Sequence, residues 1–287
     1  EINDEVRVDD LIRGIIVQSG NDACVVVAEG LAGTEDVFAS QMTDRARELG
    51  LNATTLKNSS GWPEPGHEMS AADLVKLSQL IIDEFPEFYE YFKETEFTWN
   101  GISQPNRNPL LKLGIGADGL KTGHTSEAGY GLVGSAIQDG QRIVFMVSGL
   151  DSVSQRASET TALVKWAFGA FDAIEFFEEG QVAAQADVWL GETDTVDIVA
   201  PKDLRMLVER EKRNEIKAQI AYRGPIEAPI AAGQTVAELI VAVPEKDPVT
   251  FDLIAGSDVP RGGLVTRLNA AADLTRRRVT DLIPLGN

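Results

Sequence analysis

Apolar residues recur at helical spacing among polar ones through much of the first half of the chain. Apolar positions recur every three to four residues in several stretches, a period typical of helices with one buried face. Thr34 and Ser70 occupy expected N-cap positions, Gly50 ends one stretch, and Asp73 follows Ser70 at capping-box spacing. The pattern predicts helices over residues 9–18, 22–32, 34–49, 70–83 and 153–171.

A strand pattern interrupts these helices before residue 150. Residues 128–150 form two β-rich runs on either side of Asp139 and Gly140, a dipeptide that favours a tight hairpin turn. The run ADGLKTGHT, residues 117–125, reads as a further strand just before them. Three neighbouring strands with helices before and after them predict an α+β fold, with helices packed on an antiparallel sheet.

The pattern changes after about residue 180, where short alternating runs are separated by turn residues. This texture predicts a small, separate all-β domain. In the tail, apolar residues share one helical face, which predicts a terminal helix that either packs on the protein or associates weakly with a membrane. We therefore predict three segments, residues 1–175, 176–262 and 263–287.

Composition excludes several classes of function. The 287 residues carry 45 acidic and 26 basic side chains, a net charge of −19, which argues against nucleic acid as a partner. One cysteine, Cys24, excludes an internal disulfide, and with only two histidines we expect no metal site. No apolar stretch has spanning length and no signal peptide is recognisable. The sequence starts at Glu1 without a Met and its first predicted helix follows almost at once, which suggests a mature, trimmed or cleaved product.

Two short motifs carry candidate chemistry. Ser19, Gly20 and Asn21 form a polar corner between two predicted helices, where a plain helix-helix turn is the simplest alternative. Lys121, Thr122 and Gly123 lie within the predicted strand at residues 117–125. A Ser-x-Asn triplet followed by Lys-Thr-Gly is the order of motifs in penicillin-binding proteins and serine β-lactamases.

The chain resembles the D-alanyl-D-alanine carboxypeptidases among the low-molecular-mass penicillin-binding proteins. The resemblance extends through IIVQSGNDAC, FTWNGISQPNRNPLL, DGLKTGHTSEAGYGLV and SVSQRASETTALVKWAF, and into the β-rich segment that follows. It implies a serine β-lactamase/penicillin-binding-protein-like catalytic domain followed by a β-sandwich domain. It also implies activity on peptidoglycan stem peptides ending in D-Ala-D-Ala, covalent inhibition by β-lactam antibiotics, no cofactor or metal, and a periplasmic or extracytoplasmic location.

Three residues are candidates for the chemistry itself. The hydroxyl of Ser19 can relay a proton towards the departing amine, and Asn21 offers a carboxamide to the substrate peptide. Lys121 supplies positive charge opposite Ser19 and attracts the anionic end of the substrate.

Further residues are candidates for binding the substrate. Thr122 and Thr125 offer hydroxyl groups to its terminal carboxylate, and Gly123 leaves the strand edge open to an added peptide strand. The resemblance makes the backbone amide of His124 an oxyanion donor. It also places Arg156 near the carboxylate, which a guanidinium can bind at two points.

One departure from the family is large. No serine has a lysine three residues later, and the closest imitation, Thr54 to Lys57, carries a threonine and follows the Ser-Gly-Asn corner. The acylated serine and its lysine partner are therefore expected to be absent from this chain. A cleaved or truncated chain, a natural pseudoenzyme and a different nucleophile are the alternatives, while D,D-endopeptidase, β-lactamase and non-catalytic peptidoglycan binding remain neighbouring functions.

Overall fold

The computed structural model describes residues 4–264 of the chain. The chain divides into two compact units, Glu1–Phe168 and Gly169–Asn287. The predicted tail helix lies outside the described residues, since Leu264 is the last of them. No helix among residues 4–264 is long and apolar enough to cross a membrane.

The first unit contains the five helices expected from the apolar period and one further short helix that was not expected. They are α1 (Val8–Ile16), α2 (Asn21–Ala32), α3 (Glu35–Glu48), α4 (Ala71–Glu84), the short α5 (Pro86–Tyr89) and α6 (Val153–Ala170), with a 3₁₀ helix at Glu90–Lys93. Each of the five predicted helices is confirmed with ends displaced by at most two residues. Thr34 and Ser70 cap α3 and α4, because their hydroxyls accept hydrogen bonds from the N–H groups of Val37 and Asp73.

The capping-box interpretation of Asp73 is wrong. Its carboxylate is buried and accepts hydrogen bonds from the Ala53 amide, at 2.9 Å, and from the Thr54 hydroxyl, at 2.7 Å. Asp73 therefore anchors the short strand β1 (Thr54–Thr55), which pairs with β2 (Glu68–Met69), to the start of α4.

An antiparallel sheet of three strands forms the centre of the first unit, as predicted. Its strands, in order across the sheet, are β5 (Ala117–Thr125), β6 (Gly129–Gln138) and β7 (Gln141–Leu150). A separate hairpin of β3 (Glu96–Trp99) and β4 (Ile102–Pro105) precedes them in the chain and was missed by the sequence analysis. Asp139 and Gly140 both have positive φ, 49° and 78°, and form the predicted tight turn between β6 and β7.

Helices cover both faces of this sheet. On one face Leu132 packs with Leu110 and with Val164 of α6. On the other face Leu120 and Val133 pack with Tyr89 of α5, and side chains of α4 lie against the same cluster. Because neighbouring residues on β6 serve opposite faces, the sheet is held from both sides and β5 is a rigid base for the residues it carries.

The second unit is a β-sandwich, which confirms the predicted fold class. Its strands are β8 (Phe171–Phe177), β9 (Val182–Trp189), β10 (Thr195–Val199), β11 (Leu204–Glu209), β12 (Lys217–Tyr222), β13 (Ile226–Glu227), β14 (Thr235–Ala242) and β15 (Val249–Ala255). A six-stranded sheet of order β12-β14-β15-β10-β9-β13 packs against the pair β8-β11, and Leu204, Phe176 and Phe177 of that pair join the core of the larger sheet. Strands β8 and β11 were not expected from the sequence.

Candidate active site

Ser19 lies in the corner between α1 and α2. Its φ is 58°, a left-handed conformation that a non-glycine residue rarely adopts and that is concentrated at functional sites. The Gly20 amide donates to the Gly14 carbonyl at 2.9 Å, and the Gln18 side chain donates to the Phe97 carbonyl at 3.0 Å. The corner is therefore fixed on both sides of Ser19, which is more than a simple turn requires.

Lys121 of β5 meets Ser19 directly. Its ammonium group donates a short hydrogen bond to the Ser19 hydroxyl, and it lies 3.2 Å from the Thr122 carbonyl. Burial, and after it the positive charges of Arg107 and Arg156, lower the pKa of Lys121 from 10.5 to about 8. The two motifs, 102 residues apart in sequence, thus share one site.

A buried polar network supports β5 just before Lys121. The Asp118 carboxylate accepts hydrogen bonds from the Tyr89 hydroxyl at 3.0 Å and from the Arg142 guanidinium at 2.8 Å. The same guanidinium nitrogen donates to the Ser135 hydroxyl at 2.6 Å. The β5-β6 register shifts between Ala117 and Gly119, so Asp118 lies at an irregularity that turns its side chain into this network.

The outer edge of β5 is open beyond Lys121. Within residues 4–264 this strand is paired on one side only, by β6. A Cβ added to Gly123 would find no other heavy atom within 4 Å, so the space beside this residue is empty. Thr122 is half-buried, and the Thr125 hydroxyl accepts a hydrogen bond from the Ala128 amide at 2.9 Å, inside the turn to β6.

Arg156 lies behind the end of β5. It is 5% exposed, and one of its terminal nitrogens is 3.4 Å from the Gly123 carbonyl and 3.5 Å from the Gly131 carbonyl. Its Nε is buried without a hydrogen-bond partner among the described residues. Burial, together with the nearby charge of Arg107, lowers its pKa. Its contacts are thus with strand carbonyls, and its role as a carboxylate anchor stays a prediction.

Comparison with known proteins identifies this arrangement. Residues 1–152 match the family model described as D-alanyl-D-alanine carboxypeptidase, and residues 171–261 match the model of the penicillin-binding protein 5 C-terminal domain. The chain belongs to the D-alanyl-D-alanine carboxypeptidase family. The resemblance inferred from the motifs is therefore confirmed, and with it the carboxypeptidase interpretation of the function.

Individual relatives agree with this membership. D-alanyl-D-alanine carboxypeptidase DacD of Escherichia coli K12 is 37% identical over 268 residues, which cover 93% of this chain and 69% of the relative. The crystal structure of penicillin binding protein 5 from Haemophilus influenzae has a TM-score of 0.82 at 35% identity, covering 91% of this chain and 77% of that one. Penicillin-binding protein D2 from Listeria monocytogenes in its ampicillin-bound form has a TM-score of 0.52 at 32% identity, covering 56% and 67%.

Three further side chains of the first unit, those of Asn21, Cys24 and Arg107, differ in their exposure. Asn21 begins α2 with an exposed side chain, and Cys24 is half-buried, with a pKa raised by burial. Arg107 is exposed, and its charge acts on both Lys121 and Arg156. The positive charges of Lys121, Arg107 and Arg156 make the cleft between Ser19 and the edge of β5 electropositive. Among residues 4–264 no group of three or more His, Cys, Asp or Glu side chains could hold a metal ion.

One residue of the site was missed by the sequence analysis. The ring of Tyr130 lies 4.0 Å from the exposed imidazole of His124, centroid to centroid, and the Arg156 guanidinium carbon is 5.7 Å from the same ring centroid. The signal in the sequence is the position of Tyr130 between two glycines, Gly129 and Gly131. Glycines on both sides of a strand residue indicate close backbone approach or a bulge.

Proposed function

We propose that this protein is a serine-type D-Ala-D-Ala carboxypeptidase that removes the terminal D-alanine of peptidoglycan stem peptides through an acyl-enzyme. The observation that carries the proposal is the hydrogen bond between Lys121 and Ser19 beside the open edge of β5. Family membership provides the reaction class, and the site provides the residues.

The reaction needs an activated nucleophile, a proton route and a site for the substrate. A serine oxygen attacks the carbonyl carbon of the penultimate D-alanine, the C–N bond breaks, and the amine of the leaving D-alanine takes a proton. Ser19 accepts a hydrogen bond from Lys121, so its own hydroxyl hydrogen is free to pass towards that amine. Water then hydrolyses the ester, and Asn21 holds the peptide during both steps.

The electropositive end of β5 is assigned to the substrate's free carboxylate. Lys121, Arg107 and Arg156 concentrate positive charge there, which favours an anionic terminus even though the chain as a whole is acidic. The peptide lies along the edge of β5 beside Gly123, with Thr122 and Thr125 near its terminus. The backbone amide of His124 stabilises the oxyanion.

The nucleophile itself is not found in the sequence. None of the 287 residues is a serine with a lysine three positions later. We therefore assign the nucleophile to a Ser-x-x-Lys segment outside these residues, and a polypeptide of these residues alone should be inactive.

Partners and location follow from the same proposal. β-Lactam antibiotics act as covalent inhibitors, supported by the ampicillin-bound form of the Listeria relative. Peptidoglycan as substrate implies an extracytoplasmic enzyme. In this proposal residues 1–175 carry the chemistry, whereas the β-domain of residues 176–262 takes no part in it.

The test compares two proteins with labelled penicillin and with a peptide ending in D-Ala-D-Ala. The 287 residues alone should remain unlabelled, whereas a chain that also includes a Ser-x-x-Lys segment should take up label and release D-alanine. In that longer chain Ser19→Ala and Lys121→Met should lose most activity, while Ser158→Ala, an exposed serine of α6, should lose none. Stoichiometric labelling of the 287-residue chain would refute the assignment of the nucleophile.

The second candidate is a peptidoglycan-binding protein that holds stem peptides without cutting them. The absence of Ser-x-x-Lys from these residues favours it. Binding of the peptide without release of D-alanine by the longer chain would support this candidate, and release from cross-linked peptides instead would indicate a D,D-endopeptidase.

A further inference from the structure

Tyr130 is aimed by an irregularity of the sheet. The register between β6 and β7 shifts between Tyr130 and Leu132, so the strand bulges at this point. Gly129 has a φ of 66°, and a Cβ on it would come within 2.9 Å of the Leu150 carbonyl oxygen. A Cβ on Gly131 would come within 3.0 Å of the Val147 carbonyl oxygen. Close approach of β7 therefore requires glycine on both sides, and the resulting bulge fixes the direction of the Tyr130 side chain.

The ring meets the two residues that flank the proposed carboxylate site. Tyr130 is paired with His124 across the β5-β6 ladder, and their ring centroids are 4.0 Å apart with an interplanar angle of 36°. The Arg156 guanidinium carbon is 5.7 Å from the ring centroid. An aromatic ring attracts both an imidazole and a guanidinium, and its attraction for a cation is stronger where water is excluded.

The guanidinium has little else to hold it. Its two carbonyl contacts are long, at 3.4 and 3.5 Å, and its Nε has no hydrogen-bond partner among residues 4–264. Within residues 4–264 Tyr130 contacts His124 and Arg156 through its ring, and its hydroxyl makes no hydrogen bond. The ring, rather than the hydroxyl, is therefore the group that can keep Arg156 in place.

We propose that Tyr130 is a positioning residue that orients Arg156 and His124 for the free carboxylate of the substrate. The inference rests on the proposed function, because it takes the end of β5 as the carboxylate site. It assigns selectivity for free over amidated peptide termini to the aromatic ring at position 130.

The experiment uses the enzyme that carries these residues together with its Ser-x-x-Lys segment. Tyr130→Phe keeps the ring and should stay within about twofold of the wild type on both peptides. Tyr130→Leu should lower kcat/KM about tenfold for the peptide with a free terminus, mainly through KM, and change it less than twofold for the amidated peptide. Phe145→Leu, a partly buried aromatic of β7, is the matched control, and it should lower the Tm without altering the free-to-amidated ratio.

Two results with the Tyr130 variants would overturn the inference. One is an unchanged free-to-amidated ratio in Tyr130→Leu; the other is a loss in Tyr130→Phe as large as in Tyr130→Leu, which would assign the effect to the hydroxyl. Calorimetric Kd values for the two peptides separate this outcome from failure of the proposed function. If the wild type binds the free peptide preferentially but releases no D-alanine, the carboxypeptidase proposal fails, and loss of that preference in Tyr130→Leu still supports the positioning role. Equal affinity of the wild type for both peptides would also contradict the positioning role of Tyr130.

Discussion

Asp118 joins three elements of the first unit, so its replacement tests how β5 is held. The carboxylate is buried, and it receives hydrogen bonds from Tyr89 of α5 and Arg142 of β7. Asp118→Ala leaves the Arg142 cation without its carboxylate and the Tyr89 hydroxyl without its acceptor. Breaking a buried ion pair from one side costs about 3 to 5 kcal/mol. Because Arg142 keeps the Ser135 hydroxyl and is 28% exposed, we expect about 3 kcal/mol, the lower end of that range.

The measurement is urea unfolding followed by circular dichroism at 222 nm. This signal reports mainly the first unit, because helices α1 to α6 all start within it. Asp118→Asn should cost less, about 1.5 to 2 kcal/mol, because the amide still offers one acceptor oxygen. The double variant Asp118→Ala/Arg142→Met should be less destabilised than the sum of its single variants, with a coupling of about 2 kcal/mol.

The matched control is an exposed ion pair of the first unit. Arg45 and Glu48 are joined at 2.9 Å, but both side chains are largely solvated, so Glu48→Ala should cost less than about 1 kcal/mol. Single-variant losses at Asp118 no larger than this control, or strict additivity in the double variant, would refute the reasoning that this network holds β5.

Three further changes test the site. Gly123→Val should leave the Tm almost unchanged, because the new Cβ meets nothing within 4 Å, yet it should abolish peptide binding by occupying the strand edge. The contrasting variant Gly134→Val should unfold the first unit, because its Cβ would lie 2.3 Å from the Phe145 ring. The pKa of Lys121 is 10.5 in the unfolded chain and about 8 in the folded chain. Between these two pH values the unfolded chain binds more protons than the folded chain, so the free energy of unfolding, compared with that of Lys121→Met, should rise with pH. The KM for anionic peptides should rise above pH 8, because Lys121 loses its charge there. A flat difference between the two proteins across that window would contradict this assignment. In the longer enzyme, Arg156→Ala should lower activity on peptides with free D-Ala-D-Ala termini by roughly ten- to a hundredfold, and Thr125→Val should lower it less. Most of this loss should be absent for amidated peptides. Equal losses on both peptides would make Arg156 a structural residue.

Features determined within a few residues could be predicted from the sequence. The caps Thr34 and Ser70 act on amides three residues away, and the Asp139–Gly140 turn is defined by its own backbone. The same turn signal exists at Asn100 and Gly101, yet the hairpin there was missed because its strands are largely exposed and lack an apolar alternation.

Features that depend on distant partners could not be predicted. From the sequence, Asp118 is an isolated polar residue within a predicted strand, because its partners Tyr89 and Arg142 lie 29 and 24 residues away. Asp73 has capping-box spacing, but its carboxylate accepts a hydrogen bond from the backbone amide of Ala53, 20 residues earlier in the chain. Only the contact between Ser19 and Lys121 was anticipated across such a separation, because two short motifs in the right order imply a shared site.

The electropositive cleft lies in a chain whose net charge is −19, and this contrast governs how an anionic peptide arrives. Far from the protein the peptide is repelled by the whole charge, and only within about 10 Å, the Debye length at 0.1 M salt, do Lys121, Arg107 and Arg156 dominate. Added salt first removes the long-range repulsion and later weakens the short-range attraction. The association rate measured by stopped flow should therefore rise with ionic strength before it falls, so the ions of the surrounding medium set the rate of encounter as much as the cleft does.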